Sequence, residues 1–275
     1  MRSRSGIPEN HPADSHARHE WIAQQVVARG SVSIDDIVKK FGVARMTVHR
    51  DLDELEEQGV LRKIRNAATA QPSNLFESDV RYRLLQQKNA KALLAQTALQ
   101  FVEPGSSVFL DESTSLLPLA ALLPTVGSLT VITNFLPLLQ RVRRHENLRV
   151  IGLGGDLLNR FDSFSGLICQ RTVAAMRADL YLTSSTAVSG SKVFHPDEQV
   201  VAVKRAMMAS AARRYLLADH TKFGKTALHE FASLTDFDGV IVDAQLDSKT
   251  IQQMRDAGVR VLIAGRKRRE RSSGN

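Results

Sequence analysis

Apolar residues near the start of the chain recur with the spacing of one face of an α-helix. In residues 18–30, Trp21, Ile22, Val26 and Val27 lie at helical spacing, and a glycine ends the segment. Apolar side chains at such positions form a single stripe, which a helix in a small domain buries against its neighbours. The pattern therefore predicts a first helix that begins at residue 18 and ends before residue 30.

A second helix is predicted for the stretch SIDDIVKKFG, residues 33–42. Ser33 has the side chain of an N-cap, and Asp36 stands at the capping-box position three residues later. Gly42 suits the turn that ends such a helix. The apolar residues of the stretch fall on one helical face, which consists of Ile34, Ile37, Val38 and Phe41.

A third helix is predicted from about residue 44 to residue 58, and a two-stranded ribbon follows it. Val48, Leu52 and Leu55 lie at positions i, i+4 and i+7 and face inward. Beyond Gly59, the stretch VLRKIRNAATA alternates like paired strands. Three short helices, with a tight turn between the second and third and a ribbon after them, are the layout of a winged helix-turn-helix.

Beyond residue 90 the pattern changes to short β-rich runs that alternate with helical segments. Seven runs are predicted strands, at residues 106–111, 129–134, 148–155, 178–185, 213–219, 239–243 and 259–265. Five segments have helical spacing, at residues 89–102, 136–144, 166–177, 197–212 and 248–258. Strand–helix alternation of this kind predicts an α/β layer with a mostly parallel sheet.

Composition separates these two regions from their surroundings. Residues 1–17 are rich in Pro, Ser and His, and residues 266–275 form a basic tail with Ser and Gly, so disorder is expected in both. Residues 71–90 contain a proline and a charged stretch, which is typical of a linker. We therefore expect a helix-turn-helix domain at residues 18–70 and an α/β domain at residues 91–265.

Charge, cysteine content and hydropathy narrow the class of protein. The 275 residues carry a net charge of +8, but residues 260–275 alone hold six Lys/Arg against Glu270, so the overall charge does not by itself indicate nucleic-acid binding. The single cysteine, Cys169, excludes an intramolecular disulfide and suits a buried apolar position. The apolar run at residues 116–124 is too short for a membrane span, and no signal-peptide core is found, which predicts a cytoplasmic protein.

The local charge pattern of the third helix is the stronger indication of DNA binding. Its first turns place five residues off the apolar stripe, whereas four acidic residues lie at its far end. The N-terminal residues of such a helix enter the major groove, where arginine forks bind guanine edges or phosphates and acids would repel phosphate. An ordinary solvated helix is the alternative. The expected DNA contacts are Arg45, Met46, Thr47, His49 and Arg50, with Arg62, Lys63 and Arg65 in the ribbon.

Three loops that follow predicted strands have residues suited to an anionic ligand. They are DESTS at residues 111–115, with hydroxyls and N–H groups at a helix start; GLGG at 152–155; and LADHTKFGK at 217–225. Open α/β sheets bind ligands outside the carboxyl ends of their strands, which is where all three loops lie. Plain caps and turns are the alternative for each loop. The candidate contacts are Ser113, Thr114, Ser115, Gly154, Gly155, Asp219 and Lys222, with Lys204 on the preceding helix.

Several blocks of sequence, in order, resemble one known family. The stretch RHEWIAQQVVARGSVSIDDIVKKFGVARMTVHRDLDELEEQGVLRKI resembles the N-terminal signature of the DeoR family of bacterial transcriptional regulators. The similarity continues through ESDVRYR, VFLDESTS, TVITN, IGLGGDL, VKRAMMASA and LADHTKFG and covers residues 18–265. It implies a repressor whose C-terminal domain senses a phosphorylated sugar or related metabolite and resembles ribose-5-phosphate isomerase and CoA-transferase-like folds.

The resemblance also implies which residues hold the phosphate. The family's stretch Asp-x-Gly-Thr-Thr corresponds to residues 111–115, in which Ser113 replaces the glycine and Ser115 the second threonine. Asp111 thereby becomes a candidate effector contact. Asn134, which ends the TVITN block, is another.

Other family positions match in part. The family's lysine on the long helix corresponds to Lys204, and its Asp-x-(Ser/Thr)-Lys-Phe-Gly motif corresponds to residues 219–224. The chain departs from the family at residues 181–190, where relatives commonly have a Gly-Ala-Asp-Gly-like turn, and at Val200, where an acidic residue is common. These departures bear on which sugar is bound.

Two alternatives to a ligand-released repressor of a sugar or polyol catabolic operon are an isomerase-like enzyme and a DNA-binding protein with a vestigial sensor domain. Aldose–ketose isomerisation needs a carboxylate as general base, yet residues 183–188 contain no acid. We therefore predict no catalytic residue, metal or cofactor. A single helix-turn-helix has too little DNA contact for tight specific binding, which predicts a homo-oligomer, dimer or tetramer, on repeated half-sites.

Overall fold

The computed structural model describes residues 12–57, 60–69 and 80–265. The predicted basic tail at 266–275, the first eleven residues and positions 71–79 of the predicted linker lie outside the described residues, as does the side chain of Val27. The chain divides into two compact units. The first consists of the N-terminal elements together with residues 81–86, and the second begins with residue 80 and continues from residue 87.

The N-terminal unit has the predicted helix-turn-helix layout with a small sheet. Its elements are α1 (Pro12–Arg29), β1 (Ser31–Ser33), α2 (Ile34–Phe41), α3 (Arg45–Glu57), β2 (Arg62–Ile64) and β3 (Ala67–Thr69). The strands form an antiparallel sheet in the order β1-β3-β2. The core contains Ile22, Val26, Ile37, Val48 and Leu52, so the predicted apolar stripes are confirmed as the buried faces.

Helix α2, which precedes the turn to α3, has a capping residue at each end. Ser33 accepts a hydrogen bond from the Asp36 amide at 3.0 Å and so satisfies one free N–H at the start of α2. Gly42 adopts a left-handed conformation, with φ of 65°, and donates its N–H to Val38 O at 2.8 Å. A side chain would disfavour this conformation, so glycine sets where α2 ends.

Two regions are more helical than predicted. Disorder was expected up to residue 17, but α1 begins at Pro12, because proline fits the first turn of a helix and no breaker separates it from Trp21. The linker expected at 71–90 contains α4 (Val80–Leu85) and the start of α5 (Lys88–Leu99). These two helices are separated at Gln87, which has a positive φ of 49°.

The second unit is an α/β layer, as predicted. After α5 its elements are β4 (Ser107–Leu110), α6 (Leu119–Leu122), β5 (Leu129–Thr133), α7 (Leu136–Val142), β6 (Leu148–Gly152), β7 (Asp156–Leu158), β8 (Ser163–Ser165), α8 (Gly166–Ala174), β9 (Ala178–Thr183), β10 (Ala187–Ser189), β11 (Lys192–His195), α9 (Glu198–Ala209), β12 (Ala211–Ala218), β13 (His229–Ser233), β14 (Gly239–Val242), α10 (Ser248–Asp256) and β15 (Val261–Ile263).

The seven predicted strands form one parallel sheet in the order β15-β14-β12-β9-β4-β5-β6. Strands β9 and β14 are buried almost throughout, as expected for a sheet covered on both faces. The chain also forms a β7–β8 hairpin and a small antiparallel sheet, β10-β11-β13, which the sequence analysis did not predict. The fold class is confirmed.

The strand order decides which loops become neighbours. Strands β12, β9, β4, β5 and β6 are adjacent, so the residues after their carboxyl ends meet along one edge of the sheet. Those residues belong to the segments 219–222, 183–186, 111–115, 134–135 and 152–155. Across the described ranges, no helix combines the length and the apolar character that a membrane span requires.

Candidate functional site

Helix α3 presents one polar face away from its buried stripe. Arg45, Met46 and Arg50 are exposed, and Met46 is 72% exposed, whereas Thr47 and His49 are half-buried. On the opposite side Val48 and Leu52 are fully buried. The five residues predicted to contact DNA therefore lie beside or on the free face of the helix.

Salt bridges involve some of the cations on this surface. The Arg45 guanidinium pairs with Asp35 of α2. Lys63 of β2 pairs with Asp53, and its amide donates to Glu56 Oε1 at 2.8 Å. The acidic end of α3 thus anchors the strand that follows it. Arg62 and Arg65 of the ribbon are exposed.

Asp51 is a buried residue of α3 that the sequence analysis did not identify. Its carboxylate accepts from Arg18 Nε at 2.5 Å and Nη2 at 2.8 Å, and His19 Nε2 lies 2.9 Å away. Burial disfavours the ionised carboxylate, but Arg18 and His19 outweigh burial and lower the pKa of Asp51. This ion pair connects α1 to α3; the Arg18–Asp51 spacing of 33 residues gives no local sequence signal.

The centre of the candidate site in the second unit is the ammonium group of Lys204, on α9. Lys204 is fully buried, and its Nζ lies 2.7 Å from Asp111 Oδ2 and 2.8 Å from Glu112 Oε1. The same ammonium donates to Ser113 Oγ and to the carbonyl of Ser184, both at 3.2 Å. The residue sits among the predicted loops, but two carboxylates already balance its charge.

The two carboxylates have different environments. Asp111 accepts from Tyr181 Oη at 2.6 Å, Thr183 Oγ1 at 2.5 Å and the Ser113 amide at 3.1 Å, in addition to Lys204. Burial opposes its ionisation, but Lys204 and these donors hold the pKa of Asp111 below its usual value. For Glu112, burial dominates and the neighbouring Asp111 charge adds to it, so its pKa is raised. Asp111 is therefore the ionised partner, and Glu112 holds a proton more readily.

A second lysine approaches the same loop from α5. Lys91 is buried, and its Nζ donates to Thr114 Oγ1 at 3.0 Å. It also lies close enough to Asp219 to lower the pKa of that carboxyl, together with Lys222, against the effect of burial. Lys91 could not be predicted as a site residue, because one lysine inside a predicted helix belongs to no motif.

The loop at residues 111–115 differs in one respect from its prediction. The expected helix start is a single 3-10 turn, Thr114–Leu116, with Ser113 before it. Such a short turn lacks the aligned peptide dipoles of a long helix. The turn therefore does not supply the helix dipole that the predicted phosphate seat assumed, and the groups present at this loop are its hydroxyls and Lys91. Ser113, Thr114 and Ser115 are all buried.

The remaining predicted positions pack against the segment from β8 to α8. Asn134 donates its side-chain N–H to Phe164 O at 2.8 Å. Gly155 has a φ of +135°, and a Cβ there would lie 2.2 Å from Ser165 O, so this glycine permits close approach of the protein's own backbone. Gly154 has open space around it. Among residues 12–57, 60–69 and 80–265, no group of His, Cys, Asp and Glu suits a metal ion.

Comparisons with protein families agree with this two-unit structure. A model described as the DeoR-like helix-turn-helix domain matches residues 18–74, and one described as the DeoR C terminal sensor domain matches residues 86–244. Among solved structures, ribose 5 phosphate isomerase A from Neisseria gonorrhoeae has a TM-score of 0.37 at 12% identity, covering 51% of this chain and 55% of that one. The translation initiation factor eIF-2B of Pyrococcus horikoshii has a TM-score of 0.41 at 11% identity, covering 85% and 95%.

Curated relatives match along most of their length. The lactose phosphotransferase system repressor of Streptococcus mutans is 32% identical over 84% of this chain and 93% of its own. The glycerol-3-phosphate regulon repressor of Escherichia coli is 27% identical over 90% of this chain and 98% of its own. The chain therefore belongs to the DeoR family of transcriptional regulators, with a DNA-binding helix-turn-helix domain and a C-terminal sensor domain.

Proposed function

We propose that this protein represses a sugar or polyol catabolic operon and that a phosphorylated sugar-type effector releases it from operator DNA. The observation that carries the proposal is the convergence of two buried lysines on one hydroxyl-rich loop, Lys91 on Thr114 and Lys204 on Ser113. The Lys204 ammonium holds the loop through Asp111 and Ser113, whereas Lys91 brings a buried cation to the hydroxyl of Thr114 at the edge where open sheets bind ligands, which suits an anionic group. Relatives named as repressors of lactose and glycerol-3-phosphate systems support the substrate class.

We propose that each of the two units has its own binding function. Residues 18–70 bind the operator through the free face of α3 and the ribbon, and residues 91–265 bind the effector. A single helix-turn-helix gives too little contact for tight binding, so the protein acts as a homo-oligomer, dimer or tetramer, on repeated half-sites. Because its target is the bacterial operator, it acts in the cytoplasm.

In the effector site, Lys91, Thr114 and Ser115 bind the anionic group, with Asp219 and Lys222 beside them. The contact between Lys91 and Thr114 and the proximity of Lys91 to Asp219 support this placement. Lys204 and Asp111 fix the loop from beneath, since each satisfies the other at 2.7 Å. Asn134, Gly154 and Gly155 complete the edge of the site on the β5 and β6 side.

We propose a regulator rather than an enzyme. The carboxylates nearest the loop, Asp111 and Glu112, both contact the Lys204 ammonium, and Asp111 accepts further hydrogen bonds from Tyr181 and Thr183. Asp111 therefore has little capacity left to accept a proton from a substrate carbon, and the relatives reported above are named as repressors. Incubation with ribose 5-phosphate should therefore yield no ketose product, as measured by a coupled isomerase assay.

The test of the function uses DNA selected from a random pool by the full-length protein. Sorbitol 6-phosphate, erythritol 4-phosphate and glycerol 3-phosphate are then titrated into the complex while fluorescence anisotropy reports DNA release. At least one should weaken binding by about 5–150-fold, the usual range of coupling between two sites. Sequence-specific binding that none of these three phosphates affects would contradict the proposed effector class.

The DNA-binding surface has a separate test. Arg50→Ala should weaken binding to selected DNA by about 1–3 kcal/mol and relax specificity at one base if Arg50 contacts a base edge. Arg45→Ala should have a smaller effect, because Arg45 must leave Asp35 to reach DNA. An equal loss on selected and random DNA would assign the arginine to a phosphate, and unchanged binding in both variants would contradict the docking of α3.

A further inference from the structure

The segment that follows β9 has buried hydroxyls directed to no protein partner. Ser184 and Ser185 are 2% and 6% exposed, and Thr186 is half-buried. The side-chain oxygens of all three have no hydrogen-bond partner among the described protein atoms. Because this segment lies after the strand next to β4, it faces the same edge of the sheet as residues 111–115.

The backbone of Ser184, at the start of this segment, is hydrogen-bonded through both its amide and its carbonyl, although its hydroxyl is not. The amide of Ser184 donates to Ser113 Oγ at 3.2 Å, and its carbonyl accepts from Lys204 at 3.2 Å. Buried polar atoms usually have partners, because an unpartnered one costs about 1–3 kcal/mol. Three such hydroxyls in succession on a fixed backbone suit hydrogen bonding to a bound molecule.

The charges around the segment decide what kind of molecule fits. The ammonium nearest to it, that of Lys204, lies within 2.8 Å of both Asp111 and Glu112. Glu112 Oε2 is also without a partner in the part of the chain that the structure describes. An anionic group placed here would be repelled by these carboxylates, and the charge of the Lys204 ammonium is already balanced by them. Neutral hydroxyl groups can instead both donate to and accept from Ser184, Ser185 and Thr186.

The side of the 111–115 loop that faces α5 has different chemistry. Lys91 donates to the hydroxyl of Thr114 at 3.0 Å. Lys91 and Lys222 both lie close enough to Asp219 for their charges to lower its pKa. We propose that the effector has one anionic group at Lys91 and Thr114 and an uncharged, hydroxyl-bearing carbon chain against Ser184, Ser185 and Thr186. The inference rests on the proposed function and narrows its effector to a monophosphorylated polyol or sugar with a neutral far end.

The experiment compares phosphates that differ only in the far terminal carbon. Sorbitol 6-phosphate and 6-phosphogluconate form one pair, erythritol 4-phosphate and 4-phosphoerythronate a second, and glycerol 3-phosphate and 3-phosphoglycerate a third. In each pair a CH₂OH group is replaced by a carboxylate. Isothermal titration to the full-length protein should give at least one neutral-ended member that binds roughly tenfold or more tightly than its carboxylate counterpart, since the latter leaves polar groups unpaired and repelled.

Substitution of Ser185 tests whether its hydroxyl contacts the neutral end of the effector. Ser185→Ala should weaken binding of the preferred neutral-ended phosphate by about 5–10-fold, the equivalent of one hydrogen bond, without changing the affinity for inorganic phosphate. Ser191→Ala removes an exposed hydroxyl from the loop between β10 and β11 and serves as the control, with no change expected. Thr186→Val repeats the test at the neighbouring position, should Ser185→Ala fail to fold.

The outcomes distinguish a failure of the inferred neutral-ended effector from a failure of the proposed function. If carboxylate-ended phosphates bind as tightly as their neutral partners, the inference is wrong while the proposed function stands. The same conclusion follows if neither Ser185→Ala nor Thr186→Val weakens the binding of the polyol phosphate more than the binding of inorganic phosphate. If none of the six phosphates binds the wild-type protein, both are wrong. Preference for neutral ends that is lost in Ser185→Ala supports the inference.

Discussion

At the scale of single residues, the site depends on how one buried ammonium is shared by two carboxylates. Lys204 is within 2.8 Å of both Asp111 and Glu112, but Asp111 has three further hydrogen-bond donors. The pKa of Asp111 is lowered, although burial alone would raise it. The pKa of Glu112 is raised, mainly because of burial. Asp111 is therefore the more firmly ionised partner of Lys204, and Glu112 is the easier of the two carboxylates to protonate.

This asymmetry predicts different results for two matched substitutions. Asp111→Asn should lower the free energy of unfolding at neutral pH by about 3 kcal/mol, because it leaves Lys204 without its ionised partner. Glu112→Gln should lower it by less, because burial and the neighbouring Asp111 charge already disfavour the ionised form of Glu112 in the folded protein. Urea unfolding followed by far-ultraviolet circular dichroism measures both, and equal losses would contradict the assignment of charges.

At the scale of elements, the buried ion pair between Arg18 of α1 and Asp51 of α3, called the brace below, fixes α3 against α1. Asp51 lies on α3 and Arg18 on α1, both almost fully buried. The opposite face of the same helix carries Arg50 and Met46. The brace therefore orients the residues proposed to contact DNA without itself being exposed to DNA.

The brace predicts a pH dependence. Because the pKa of Asp51 is lower in the folded protein, the folded state binds this proton less readily, and the contribution to stability is present above the unfolded pKa and lost as pH falls through the lowered value. Asp51→Asn should cost about 3 kcal/mol at neutral pH, and the difference from wild type should shrink as the pH falls through the lowered pKa of Asp51. Trp21 is the single tryptophan and lies on α1, so its fluorescence reports this unit.

A surface substitution provides the control for the brace. Asp53→Asn removes an exposed carboxylate that pairs with Lys63 and should change stability by less than about 1 kcal/mol. A loss for Asp53→Asn as large as that for Asp51→Asn, or a difference for Asp51→Asn that does not depend on pH, would exclude the proposed role of the buried pair.

The elements also show how far sequence patterns reach. Long periodic segments and apolar runs were predicted correctly, since burial on both faces of a parallel sheet leaves a continuous apolar signal in strands such as β9 and β14. The three-residue strands β7, β8 and β10 were missed because so few residues show no periodicity. Helix α4 was missed because charged residues in it resemble a linker.

The same limit applies to the site. Hydroxyls and charged residues in loops could be predicted, because strand ends of an open sheet meet at one edge. Lys91, Asp51 and the contact of Glu112 with Lys204 depend on packing between distant segments, which one sequence does not reveal. The proposed role of Gly155 in ligand binding stays a prediction, and its close approach to the backbone of Ser165 could not be predicted from the sequence.

That close approach leads to a further matched pair. Gly155→Ala should destabilise the protein by about 2 kcal/mol or more, because the positive φ disfavours a side chain and the new Cβ would meet Ser165 O. Gly154→Ala has open space and should change stability by less than about 1 kcal/mol. Thermal unfolding by circular dichroism checks both, and a tolerated Gly155→Ala would show that the β6–β7 turn can shift.

At the scale of the whole molecule, the protein must convert binding at the sheet edge into a change at α3. An effector can do so only if it binds the DNA-competent and DNA-incompetent states with different affinity. Lys91 is the best residue with which to separate the two activities, because it lies in the sensor unit and its proposed role is to bind the anion. Lys204 is less suitable, because removing it would leave Asp111 buried and unpaired.

The most direct measurement is the dissociation constant for selected DNA with and without the most tightly bound polyol phosphate, for wild type, Lys91→Met and Lys88→Met. Lys88 is exposed on the same helix and is the matched control. We predict that the phosphate weakens DNA binding by about 5–150-fold for wild type and Lys88→Met, and that Lys91→Met binds DNA normally but does not respond. A Lys91→Met protein that responds at wild-type phosphate concentrations would contradict the account.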